Sequence, residues 1–276
     1  MKKGLNAWTF PNETPMERRM ELAAKAGYDG FECLYEVEGY VGMNQPDGQL
    51  KQVRARAKDL GLEIPSLVGA HYEGLSIADG DSKRAAEARE RVKRMLHAAG
   101  VLGADTVLLV AGRCASTRED PDAQYDRVYD NALKSVALLA ETARDEGVRI
   151  GIEPVWSKFL LSPIEFRAFV DAAASPWVGA YFDTGNVMIW GYPEQWIRIL
   201  GKRLYKCHFK DFRRSVGTGG GFVDLLAGDV DFPEVMAAFR EIGYDGYCIC
   251  EVSPYQFDPE FMAIQTAGAM DRIFTM

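Results

Sequence analysis

The stretch RIGIEPVWSKFLLSPIEFRAFVDAAASPWVGAYFDTGN, residues 149–186, holds one complete structural unit. A short apolar run, Arg149–Glu153, ends in a glutamate. A helical pattern over Pro163–Ala174 follows, and a second apolar run, Gly179–Asp183, ends in an aspartate. Short apolar runs bounded by turn residues read as buried strands. The unit is strand, helix, strand, with an acid at the end of each strand.

The same rhythm extends in both directions. Strand patterns fall at Leu5–Thr9, Gly30–Leu34, Glu63–Val68 and Thr106–Val110 before the unit, and at Leu204–His208 and Tyr247–Val252 after it. Helical patterns lie between them at Pro15–Ala26, Gly48–Leu60, Ser82–Ala99, Ala123–Glu146, Pro193–Leu200 and Phe232–Ile242, with a last at Pro259–Phe274. Several end in glycine (KAGYDG, DLGLEI, EGVRIG, EIGYDG), the residue that caps a helix C-terminus before a strand. Eight strands alternating with eight helices predict an α/β fold, a single (β/α)8 TIM barrel. No glycine-rich dinucleotide fingerprint follows the first strand, which argues against an open nucleotide-binding sheet. No linker or low-complexity tract divides the chain, so residues 1–276 are expected to form one domain.

Two further strand ends carry metal-type side chains, His208 in LYKCHFKD and Glu251 in GYCICEV. With Glu153 and Asp183 they make an oxygen-rich set on the fifth to eighth strands. Side chains alternate faces along a strand. Two residues before each candidate stand Gly151, Tyr181, Lys206 and Ile249. The intervening Ile152, Phe182, Cys207 and Cys250 are apolar and suited to face the helices. The four candidates therefore share the interior parity, at the barrel end where active sites gather. Three carboxylates about 5 Å apart repel by roughly 3 kcal/mol per pair at an effective dielectric near 20. A divalent ion would neutralise them, and Mn²⁺, Mg²⁺, Co²⁺ and Zn²⁺ all suit three oxygens and an imidazole. The competing reading is four polar residues at a barrel mouth, paired with Lys206, Lys210 or Arg214.

These motifs carry a resemblance. IEP, FDTGN, HFKD, GDVDF at residues 228–232 and the final EVS resemble the xylose-isomerase-like sugar isomerase and epimerase barrels. LLSPIEF, SPWVGAYFDTGN and IGYDGYCICE are most similar to the hexulose-6-phosphate isomerase and L-xylulose-5-phosphate 3-epimerase branch. WTFP, AKAGYDGFE and IPSLVGAH match more loosely in the first half. The resemblance implies one divalent metal ion held by Glu153, Asp183, His208 and Glu251, with Glu153 and Glu251 also catalytic as acid and base. A ketose or ketose phosphate would lose its α-proton to one glutamate, forming a cis-enediolate, and regain a proton from the other. Return to the opposite face is epimerisation; return to the neighbouring carbon is isomerisation. The resemblance also implies a homo-oligomer, although no stretch marks an interface. The chain departs from free-ketose 3-epimerases in having Asn186 where they commonly place histidine. It also has PVWSKF after Glu153, where they tend to carry a substrate-binding glutamate.

Secondary candidates lie around the same mouth. Arg214, with Arg213, precedes the glycine-rich run at 217–221, in the region where barrels often bind phosphate. Lys158 is a weaker candidate of the same kind. His71, just beyond the third strand, and Glu32, at the end of the second, are read as substrate contacts. Trp8 would wall an apolar rim, together with Phe10 and Trp156. Lys210 and Asp211 would orient the metal ligands. His97, inside a helix, reads as structural.

Composition removes several other functions. A net charge of −8 disfavours nonspecific nucleic-acid binding. With only three histidines, His71, His97 and His208, the chain lacks the ligands of a multi-zinc DNA-repair endonuclease of this superfamily. No apolar run approaches a membrane span, and the start lacks a signal-peptide core, so a cytoplasmic location is expected. The five cysteines are odd in number and form no CxxC pair, against a disulfide framework. Two competitors remain beside the isomerase or epimerase: a metal-dependent lyase or dehydratase of a keto-sugar, and a barrel that binds sugar without turnover.

Overall fold

The computed structural model describes residues 1–69 and 74–276. Among them, strands β1 (Lys2–Asn6), β2 (Gly30–Glu36), β3 (Leu67–Gly69), β4 (Thr106–Leu109), β5 (Arg149–Ile152), β6 (Val178–Asp183), β7 (Leu204–Phe209) and β8 (Tyr247–Cys250) pair in parallel in chain order. Leu5 of β1 faces Cys250 of β8 on one side and Phe31 of β2 on the other, which closes the ring. Helices α1 (Met16–Lys25), α2 (Asp47–Asp59), α3 (Ser82–Leu102), α4 (Tyr125–Glu146), α5 (Pro163–Ala172), α6 (Pro193–Leu200), α7 (Phe232–Ile242) and α8 (Pro259–Phe274) alternate with them. This is the expected (β/α)8 barrel. No helix among the described residues is long and apolar enough to cross a membrane.

Local chemistry sets the helix ends. Asp231 accepts a hydrogen bond from the Glu234 backbone N–H at 3.1 Å, Pro233 occupies the first turn, and Gly243 ends α7 at φ 67°. Gly147 ends α4 likewise at φ 66°. A side chain at either position would be strained in this left-handed backbone.

The outer layer of the core lies between sheet and helices. Phe182 stacks on Trp196 of α6 at 6.1 Å between ring centroids, and Phe209 meets Phe232 and Phe239 of α7 at 5.6 and 6.1 Å. The residues alternating with them point inward. At the barrel floor, the buried Lys206 ammonium lies 2.7 Å from Asp105 Oδ1.

Two strands differ from expectation. The first runs over Lys2–Asn6 rather than Leu5–Thr9, because Asn6 accepts a hydrogen bond from the Trp8 N–H at 2.6 Å and starts a 3-10 turn at Ala7–Thr9. The third is regular only from Leu67. Glu63 contributes an isolated bridge to Gly30, and Pro65 then interrupts the ladder because it has no N–H to donate. After β7 the chain forms a small antiparallel hairpin, Asp211–Phe212 against Phe222–Val223, with the glycine-rich run in its turn.

Candidate metal centre

Four neighbouring strands deliver the four side chains. Asp183 is the last residue of β6, His208 is next to last in β7, and Glu153 and Glu251 directly follow β5 and β8. One ligand atom from each lies within 4.8 Å of all the others. His208 Nδ1 stands 3.0 Å from Glu251 Oε2, 3.2 Å from Glu153 Oε1 and 4.0 Å from Asp183 Oδ2. The parity read from the sequence places them on one inner surface.

Asp183 is divided between two tasks. Its Oδ1 accepts the backbone N–H groups of Gly185 and Asn186, both at 2.8 Å, which fixes the carboxylate plane at the start of the DTGN turn. Its Oδ2 is buried and accepts no hydrogen bond. The nearest charge is the Lys210 ammonium at 3.2 Å, and that ammonium also lies 2.7 Å from Glu251 Oε1. Asn186 Nδ2 donates to Glu153 Oε1 at 3.4 Å.

Behind the centre lies a second polar layer. His208 Nε2 is 2.7 Å from Glu32 Oε2, which also accepts from Asn6 Nδ2 at 2.6 Å. The other oxygen, Glu32 Oε1, accepts from Ser66 Oγ at 2.6 Å and from the Tyr181 hydroxyl.

The electrostatics follow from this crowding. Burial pushes the Glu153 carboxyl up to about 7, against the opposing pull of His208. Burial alone would lower His208, but the carboxylates of Glu32 and Glu251 outweigh it and raise the imidazole well above its usual value. Glu251 falls far below the carboxylate range, because Lys210 and His208 overcome its burial. Lys210 is raised because Asp183, Glu251 and Glu153 overcome its own desolvation.

The donor set suits a divalent cation on three counts: three convergent carboxylates, an imidazole nitrogen facing them, and a buried aspartate oxygen without a donor. Without an ion, the carboxylates are met by a protonated His208 and by the Lys210 ammonium; a divalent cation would take the place of the proton on Nδ1.

Residues 20–273 match the family described as the xylose isomerase-like TIM barrel. The chain belongs to that family. A relative from Escherichia coli K12, provisionally named L-ribulose-5-phosphate 3-epimerase, is 25% identical over 240 residues, covering 85% of this chain and 82% of its own. Among solved structures, D-psicose 3-epimerase from Clostridium cellulolyticum H10 with D-tagatose superposes with a TM-score of 0.83 at 16% identity, covering 99% and 98% of the two chains. The IolI protein with a bound zinc atom superposes at 0.79 with 19% identity, over 100% and 98%.

In this xylose isomerase-like barrel the secondary candidates are dispersed. Glu32, read from sequence as a substrate contact, is fully buried beneath His208 with both oxygens engaged, so a substrate hydroxyl has no route to it. Trp8 is half-buried in the 3-10 turn after β1. Arg214 sits on the hairpin after β7, its guanidinium 4.6 Å from the centre of the Tyr192 ring and 3.4 Å from the Gly191 carbonyl oxygen. It lines a cavity of about 520 Å³ with Met188 and Trp190. Lys158 is exposed, at φ 58°, in the segment after β5. His71 lies outside the described residues. Trp156 Nε1 donates to the Asn186 carbonyl at 2.8 Å, and its ring lies against Phe212 and Phe222 of the hairpin. It thereby ties three loops of the mouth together. His97 bridges Asp47 and Glu146 on the outside of the barrel, a structural position as expected.

Sequence reasoning missed Asn6, Ser66 and Tyr181. Tyr181 carried a usable signal, since it shares the parity of Asp183 two residues on. Asn6 and Ser66 fell inside predicted strands, but a lone amide and a lone hydroxyl carry no sign of the carboxylate they meet.

Proposed function

We propose that this chain is a divalent-metal-dependent isomerase or epimerase of a ketose or ketose phosphate. The observation that carries the reading is the placing of two glutamates on the outer strands of the ligand quartet. Glu153 follows β5 and Glu251 follows β8, with Asp183 and His208 between them. Glu153, Asp183, His208 and Glu251 would hold the ion. When bound, the ion would polarise the sugar's carbonyl and acidify the neighbouring C–H.

The remaining steps belong to the side chains. One glutamate takes the α-proton, leaving an enediolate, and the other returns a proton to the carbon. Return from the opposite side inverts the centre; return to the adjacent carbon interconverts ketose and aldose. Without the ion, Lys210 and His208 hold Glu251 ionised while burial raises Glu153 to about 7; a bound divalent ion would favour the carboxylate form of both, each then able to accept the proton. Asn186 steadies Glu153 through its amide. Arg214, at the hairpin turn, would meet a phosphate or a distal hydroxyl. The epimerase names among the relatives and the zinc-bound neighbour support this reading.

The test is a panel of ketoses and ketose phosphates incubated in D₂O with Mn²⁺-loaded protein and followed by NMR. Deuterium entering at the carbon beside the carbonyl, with an epimer or aldose as product, is the expected result. Glu153→Gln and Glu251→Gln should each lower the rate by about 10²–10⁴-fold. Dehydrated products would point instead to elimination, and turnover that survives stripping of the metal would overturn the proposal.

A further inference from the structure

We infer that Glu32 is a positioning residue that fixes His208 with its Nε2–H bound inward and its Nδ1 turned to the ion. The inference rests on the metal-centre reading above and adds to it the choice of nitrogen and the residue that makes the choice. Glu32 is fully buried in β2. Its carboxylate collects His208 Nε2 at 2.7 Å, Asn6 Nδ2 at 2.6 Å, Ser66 Oγ at 2.6 Å and the Tyr181 hydroxyl. These partners come from β7, β1, the residue before β3, and β6, so one side chain gathers both walls of the barrel.

Packing alone does not explain a carboxylate here. Replacing a buried ionic group by an apolar residue of similar volume is often neutral or stabilising. What the carboxylate supplies is direction. Its Oε2 accepts from one ring nitrogen, which leaves the other nitrogen as the lone-pair donor. The Tyr181 ring packs against the imidazole, 4.6 Å between centroids at a tilt of 52°, and opposes its rotation. Nδ1 is thereby the atom within 4.0 Å of the three carboxylates. A metal-bound histidine whose second nitrogen is held in this way is a better ligand, and loss of such a partner typically weakens metal affinity 10–100-fold.

The test uses Zn²⁺ alone as probe, on full-length protein stripped with chelator. Calorimetry measures affinity, and ¹⁵N NMR of histidine-labelled protein reports which nitrogen is protonated. With three histidines in the chain the spectrum is readily assigned. The expected result is a His208 with Nε2 protonated and Nδ1 ligated, and about 10–100-fold weaker Zn²⁺ binding in Glu32→Gln. Unchanged affinity in a folded Glu32→Gln, or ligation through Nε2 in the parent, would overturn the role of Glu32 while leaving the metal centre intact. Failure of the parent to bind Zn²⁺ at all would overturn the metal reading, and this inference with it. Should Glu32→Gln not fold, Glu32→Asp takes its place: withdrawing the carboxylate from Nε2 should also weaken Zn²⁺ binding, and unchanged affinity there would overturn the role of Glu32.

Discussion

Lys210 is the one ammonium that forms ion pairs with both Asp183 and Glu251 among the described residues, at 3.2 and 2.7 Å. Removing it strands the buried Asp183 and the partly buried Glu251 beside a third carboxylate. Lys210→Met should therefore lose about 3 kcal/mol in chelator, lowering the melting temperature by roughly 6–10 °C. Adding Mn²⁺ should restore more stability in the variant than in the parent, because the ion then supplies the missing charge. Differential scanning fluorimetry with and without Mn²⁺ reads both quantities, and an equal metal-induced rise in the two proteins would refute the account. Gly151 is a steric counterpart. A methyl group there would come 2.9 Å from Tyr181 Cβ, inside the barrel. Gly151→Ala should cost about 1–3 kcal/mol in urea unfolding, since the tyrosine has to shift away from Glu32. The ligand quartet was legible because acids and a histidine at strand ends share one parity. The Glu32 layer was not, because its meaning lies in partners on three other strands and just before a fourth, which spacing along the chain does not bring together.

At the scale of elements, the helices were the more legible. Their starts are written in side chains that serve their own next turn, as Asp81 does for Lys83 N at 2.8 Å and Asp231 for Glu234 N. Strand ends depend on neighbours instead. Lys2 and Lys3 lie before the predicted first strand, yet they begin β1, with their ammonium groups reaching Glu63 and Asp271, both at 2.6 Å. Among helix contacts, the half-exposed His97 of α3 links Asp47 of α2 at 3.0 Å to Glu146 of α4 at 3.2 Å. Its hydrogen bond to Asp47 is the main cause of a pKa raised above 6.5. A raised folded value means stability that is present in full below about pH 6.5 and lost as pH climbs through the folded pKa. His97→Gln should accordingly lower the melting temperature at pH 6 and leave it nearly unchanged at pH 9. Solvent screening keeps the effect under about 1 kcal/mol. An equal loss at both pH values would mean that packing, not charge, carries the contact.

Across the whole molecule the two ends of the barrel handle charge differently. The mouth gathers three carboxylates around a candidate metal centre, while the floor pairs its charges within the protein. Lys206 is nearly inaccessible and depends on Asp105, whereas Asp105 also has Arg149 and the Thr106 hydroxyl. The two partners should respond unequally to mutation. Asp105→Asn, which leaves a buried ammonium without its anion, should cost about 3 kcal/mol or more; Lys206→Met should stay within about 1 kcal/mol of the parent. Urea denaturation of the two variants settles this, and similar losses would show that the pair is not organised as described.

The four candidate ligands stand at the ends of β5 to β8, a contiguous half of the ring. Among the described residues, the segments after β1, β2 and β4 contribute none of them. A cage built on one half of the ring leaves those segments free to diverge in length and polarity. Under the proposed function, exchange of such loops is the route by which the same chemistry could be turned to a different sugar.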